Sequence, residues 1–201
     1  MSTTDTDVLY AATVAERRRL AAVLERLAPT DWDRASLCEG WRVREVTAHL
    51  SMAYRYSGWA VTRGIVNARG SFARFADRTA RHDASVMSDH ELLRSLANNV
   101  KHPWRPPGGG QAGALSHDVI HGLDITEPLG LDAPPVATIR HVLDHAGPRN
   151  LKFFGVDLGG RRLEATDTDW HLGQGDPLRL PAKDILLLIT ARKPLPDPAA
   201  A

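Results

Sequence analysis

His117 and His121 stand four residues apart in Leu-Ser-His-Asp-Val-Ile-His-Gly-Leu-Asp, and Asp124 follows three residues later. On a helix the two imidazoles lie about 40° apart, close enough to chelate one ion. Neutral imidazole is a ligand for zinc, nickel, copper or iron, so the chemistry in view is that of a bound divalent cation. Asp124 has two readings: it fixes the tautomer of a ligand imidazole, or it is a surface residue or a carboxylate bonded to backbone. Asp118 falls elsewhere on the wheel, towards solvent or a salt bridge. The spacing alone decides nothing, because nine histidines occur in 201 residues and His141 and His145 repeat it.

His49 differs in its surroundings. It shares a helical stripe with Val46, Ala53, Tyr56 and Ala60, so it faces an interior. There it is either a satisfied core histidine or, with an inward-facing pair on another helix, a third ligand. Three protein nitrogens would leave coordination positions open, which is the catalytic rather than the structural arrangement. Cys38 reads either as a soft fourth ligand or as a small buried hydrophobe.

The elements that must position these residues are mostly helical. Thr6 to Leu27 carries an apolar stripe of Val8, Leu9, Ala12, Ala15, Leu20, Val23, Leu24 and Leu27, and Pro29 stops it. Residues 43–66 predict a second, central helix, apolar on most sides. Residues 70–87 are polar and mixed, a loop or short helix. Ser88-Asp-His-Glu91 is a capping box that opens a helix ending near Val100. Pro103 to Gly110 is a turn or a loop, either a plain connector or a gate beside the histidines. A helix over 112–125 follows, closed by Pro128 and Gly130, and another over 135–146.

From Gly155 the pattern changes. Residues 161–166 and 169–172 read as short strands joined by a Thr-Asp-Thr-Asp turn, and 177–180 as an edge strand. Pro181 opens a last helix with the run Ile185-Leu-Leu-Leu-Ile189. The expected architecture is mainly α: a helical bundle over 1–150, then a small hairpin-plus-helix unit over 151–201.

Composition narrows the function classes. The formal charge is +1, from 25 basic and 24 acidic residues, and no long basic run argues for a nucleic-acid partner. No apolar run approaches the roughly 18 residues of a membrane span. The single cysteine and the polar, acidic N-terminus predict a soluble protein of the reducing cytoplasm.

The stretch from Asp31 through Cys38-Glu-Gly-Trp41 to His49-Leu resembles the N-terminal signature of the mycothiol-dependent maleylpyruvate isomerase family, within the DinB-like superfamily. Leu115 to Asp124 resembles that family's second metal segment. Leu163 to Trp170 and Leu180 to Arg192 resemble its C-terminal region. The resemblance implies a four-helix bundle holding a divalent metal, most often zinc, with nickel as the alternative. It places the ligands on His49, His117 and His121. The isomerase itself has Glu where this chain has His117, and the three-histidine set is that of other DinB-like members. The family's C-terminal Gly-Arg reads Ala191-Arg192 here, which marks Arg192 for substrate binding.

The resemblance implies an enzyme that uses a low-molecular-weight thiol, mycothiol, as co-substrate against an electrophilic small molecule, by transfer or isomerisation. The chain would act as a monomer or homodimer. Two other readings share the scaffold. One is a metal-dependent hydrolase with Asp124 as general base, and the other is a metal-binding helical protein without catalysis.

Overall fold

Helix α1 (Thr3–Glu25) buries a stripe in which polar residues mix with apolar ones in the middle. Leu9, Leu20 and Leu24 are buried, but so are Thr13, Glu16 and Arg17 between them, while Val8 is exposed. The apolar stripe expected from the sequence, with Val8 and Ala15 on it, is therefore rotated. Each buried polar group in that middle section has a partner, which is what lets it displace an apolar one. Thr13 Oγ1 donates to the Leu9 carbonyl, Glu16 binds Arg19, and Arg17 pairs with Asp118.

The structure, a computed structural model, describes residues 3–196 and is mainly helical. The chain divides into two compact units, Met1–Leu131 and Asp132–Ala201. The division falls at 131/132, so the helices after Pro135 group with the strands, where the sequence suggested a bundle continuing to 150.

In the first unit, a 3-10 turn (Pro29–Asp33) leads into α2 (Val43–Arg55). The single helix expected over 43–66 is two, α2 and α3 (Gly58–Asn67). Tyr56 is extended, and Ser57 caps α3 by accepting from the Ala60 N–H. A serine that caps ends one helix as it starts the next. The segment 70–87, expected as a loop or short helix, forms the 15-residue α4 (Phe72–Val86), which buries Ala76, Ala80 and Ala84. α5 (Asp89–Ala97) opens with the expected capping box between Ser88 and Glu91. α6 (Gly110–Leu129) runs longer at both ends than expected, and Pro128 sits in its last turn. α1 packs on α5 and α6, and α2 on α4, α5 and α6. Val46, Ala48, Leu50, Leu92, Leu96 and Ile125 meet in the core between them.

Pro128 shapes the end of α6. It has no N–H to donate to the Asp124 carbonyl one turn back, and the Leu37 N–H takes that place at 3.0 Å. The segment before α2 is thereby pinned to α6. Gly130, at φ +66°, then reverses the chain, with the Leu131 N–H bonded to the Thr126 carbonyl and the Gly130 N–H to that of Glu127.

The second unit holds α7 (Val136–Leu143), α8 (Pro148–Phe154) and a three-stranded sheet with α9 (Ala182–Ile189). Central β1 (Arg161–Ala165) pairs antiparallel with β2 (His171–Gly173) and parallel with β3 (Asp176–Leu180). The expected hairpin and edge strand are thus both present. Leu163 is the buried residue of β1, and α9 packs on β1, α7 and α8. No helix among the described residues is long and apolar enough to cross a membrane.

The left-handed turn at Gly130 is costly for any residue with a Cβ. Gly130→Ala should lower the midpoint of chemical denaturation by the equivalent of about 1–2 kcal/mol while leaving the helical circular-dichroism signal intact.

Candidate metal centre

α2 is buried almost all round, so His49 at its centre points into the unit and is 8% exposed. Its ring meets those of His117 and His121, one turn apart on α6. The centroid separations are 5.1 Å for His49 and His117, 4.8 Å for His49 and His121, and 4.8 Å for the α6 pair. His49 Nε2 lies 3.2 Å from His117 Nε2. One ligand nitrogen from each of the three rings falls within 4.8 Å of the others.

Two carboxylates set the orientation of the α6 rings. His117 Nδ1 is 2.9 Å from Asp118 Oδ1, and His121 Nδ1 is 2.9 Å from Asp124 Oδ2. Both aspartates are buried. A carboxylate accepts, so each Nδ1 carries a ring proton, and a neutral ring held this way has its lone pair on Nε2. His49 is held by packing instead. Its Nδ1 is buried with no hydrogen-bond partner among the described residues, and the Trp41 ring lies 5.2 Å away. Burial pushes the His49 pKa well below 6.5, and the neighbouring His121 and His117 push it the same way. His49 is therefore a neutral imidazole at neutral pH.

These features fit a cation. Where a metal sits about 2.0–2.1 Å from tetrahedral nitrogen ligands, two such nitrogens lie about 3.3 Å apart, against the 3.2 Å between His49 and His117. Neutral rings tied to carboxylates at Nδ1 are the usual form of histidine ligands.

The Cys38–Trp41 segment flanks the cluster. Gly40 takes a left-handed φ of +72°, and a bridge between Ala35 and Arg42 closes the loop. Trp41 is anchored by its Nε1–H to Asp77 at 2.8 Å. Cys38 Sγ lies 3.0 Å from Asp124 Oδ2 and 3.8 Å from His121 Nδ1. It groups with His121 and Asp124, on the Nδ1 side of His121, and not with His49 and His117.

Among the residues singled out from sequence, the structure brings together His49, His117, His121 and Asp124, with Cys38 beside the last two. Of the two readings of Asp118, solvent or a salt bridge, the structure shows the second: it is buried in an ion pair with Arg17 at 2.6 Å. Arg192 lies in the second unit, its guanidinium 5.6 Å from the Phe154 ring and Nη1 donating to the Thr190 carbonyl. His141 and His145 are joined only through the His145 Nδ1 contact with the His141 carbonyl, and they form no group of three metal-binding side chains among the described residues. The sequence reading missed Arg17, and also Trp104, whose ring lies 5.1 Å from His117. Arg17 had a signal, since it stands in phase with Leu20 and Leu24 on the buried side of α1.

Fold and cluster define a mainly helical protein with a candidate three-histidine metal site. Residues 13–102 match the family model of the mycothiol maleylpyruvate isomerase N-terminal domain. The match contains Cys38, Trp41 and His49 and ends before α6, so His117 and His121 stand outside it. No curated protein and no solved structure matches the chain.

The depressed pKa of His49 has a consequence for the metal-free protein. The unfolded chain takes up a proton at this residue near its ordinary value of 6.5, and the folded chain does not. The contribution is present above that value and lost as pH falls below it. Metal-free protein should therefore lose stability as the pH drops below about 6.5, and His49→Gln should show a shallower loss in the same denaturation series.

Proposed function

We propose that this protein is a metal-dependent enzyme that uses a low-molecular-weight thiol, mycothiol by family, against an electrophilic small molecule. The observation that carries the reading is the convergence of His49, His117 and His121, with two rings held by buried carboxylates. The three histidines would hold one divalent cation, zinc by its preference for nitrogen ligands and nickel as the alternative. A cation held by neutral ligands keeps its full charge and favours the thiolate form of a thiol, which is the nucleophilic form.

The chain's own groups have distinct tasks in this reading. Asp118 and Asp124 keep the ring protons at Nδ1 and so keep Nε2 available. Trp41 and Trp104 wall the cluster and limit water. The thiolate would form a carbon–sulfur bond as the π bond at the electrophilic carbon opens and its electron pair moves onto the acceptor group. In transfer that pair either expels a leaving group such as halide or takes up a proton, and the carbon–sulfur bond remains. In isomerisation the carbon–carbon bond made single rotates, the π bond re-forms and the thiolate departs. Arg192 is the second-unit residue we put forward for substrate binding. The DinB-like bundle, the action as monomer or homodimer and the cytoplasmic setting belong to the same proposal.

The hydrolase reading is less well supported. It asks Asp124 to act as general base, yet Asp124 Oδ2 already meets His121 Nδ1 and Cys38 Sγ behind the imidazole. Asp124 fits a positioning role better.

Protein purified with its native metal should conjugate mycothiol to bimane or chloro-dinitrobenzene reagents, and His49→Ala should reduce the rate to background. A background rate with mycothiol, glutathione and bacillithiol alike would contradict the thiol chemistry and leave the hydrolase and the non-catalytic metal-binding readings. Elemental analysis of the same preparations should find the metal lost when His117→Ala and His121→Ala are combined.

A further inference from the structure

Arg17 is a guanidinium held inside the helical unit by few partners. Its side chain is 1% exposed and that of Asp118 3%. Nε donates to Asp118 Oδ2 at 2.6 Å, and Nη1 donates to the His102 carbonyl at 2.7 Å. The guanidinium carbon lies 5.3 Å from the centre of the Tyr54 ring. Nη2 is buried with no hydrogen-bond partner among the described residues.

Such a pair is a poor source of stability. Desolvating two charges offsets their attraction, and an apolar pair of similar volume serves as well or better. A buried nitrogen without an acceptor adds to the cost. What the pair does supply is position. Asp118 gives Oδ2 to Arg17 and Oδ1 to His117 Nδ1. Arg17 thereby fixes the plane of the carboxylate, and the carboxylate fixes the ring. The same guanidinium holds the His102 carbonyl, and His102 Nδ1 accepts from the Trp104 N–H at 3.2 Å. Trp104 is the residue packed against His117. The tryptophan only packs against the ring, whereas the hydrogen bonds that set its tautomer run from Arg17 through Asp118.

We propose that Arg17 is a positioning residue for His117, acting through Asp118 to hold the imidazole in its Nδ1–H form with Nε2 turned to His49. What this means for metal affinity rests on the three-histidine reading of the preceding section; the tautomer itself does not.

The test is nitrogen-15 NMR of the histidine rings in metal-free protein, joined to zinc competition titrations. Wild type should show His117 protonated at Nδ1, and Arg17→Met should show a mixture of tautomers. Zinc affinity should fall about 10-fold in Arg17→Met and about 10–100-fold in Asp118→Asn, the range for partners of ligand histidines. The two substitutions together should bind zinc no more weakly than Asp118→Asn alone, because Arg17 acts through Asp118. Additive losses, or a His117 that stays fully Nδ1-protonated in Arg17→Met, would overturn the proposal. Should Arg17→Met not fold, Arg17→Gln replaces it under the same two criteria. The combined variant leaves no unpaired buried charge, and in it too wild-type zinc affinity would overturn the proposal. If His49→Ala binds zinc as tightly as wild type, the three-histidine reading fails while the tautomer result still decides the role of Arg17.

Discussion

Asp118 and Asp124 are carboxylates buried on one helix, and a buried carboxylate must be met by donors or it destabilises the fold by several kcal/mol. Much of the site follows from how that requirement is met. Each aspartate accepts a hydrogen bond from the Nδ1–H of a histidine on its own helix and a further contact from another element: Arg17 from α1, Cys38 from the segment before α2. The donors that satisfy the carboxylates are the groups that fix the imidazoles. The chemistry of the site and the polar pairing of the core are here one network.

The backbone reinforces it. Pro128 interrupts the helical bonding of α6 opposite Asp124, and the Leu37 N–H fills the gap. Asp124 therefore holds the 37–38 segment twice, by its carbonyl and by its side chain. The same loop delivers Trp41 to His49. His49 has no carboxylate behind it and relies on α2 being buried on nearly every side. Two rings oriented by hydrogen bonds and one by packing give a cluster whose α6 half is rigid and whose α2 half depends on the core around it.

Much of this was legible in the sequence. The capping box at Ser88 and Glu91, the Thr-Asp-Thr-Asp turn and the run at 185–189 carry local signals strong enough to survive tertiary context. His49 was legible because its neighbours at helical spacing are apolar. α4 was hidden because it packs through alanines, which allow close approach to α2 yet give a weak hydrophobic pattern. The break at Tyr56–Ser57 was hidden because apolar residues continue through it, and a single capping serine looks like any polar position. The phase of Arg17 with Leu20 and Leu24 signals its burial, but its partner lies 101 residues away, and no local pattern announces a pairing of that range. His117 and His121 could not be told from His141 and His145 by spacing, since what separates the pairs is a third ring supplied by another helix.

The central claim is that three imidazoles share one cation through nitrogen while Cys38 stays outside it. Titration of metal-free protein with cobalt(II), followed by visible absorption, tests this most directly. The account predicts ligand-field bands of a nitrogen-rich site that saturate at one equivalent and vanish in His49→Ala, with no sulfur-to-cobalt charge-transfer band. A spectrum no different from aqueous cobalt, bands that persist in His49→Ala, or a charge-transfer band from Cys38 would contradict it.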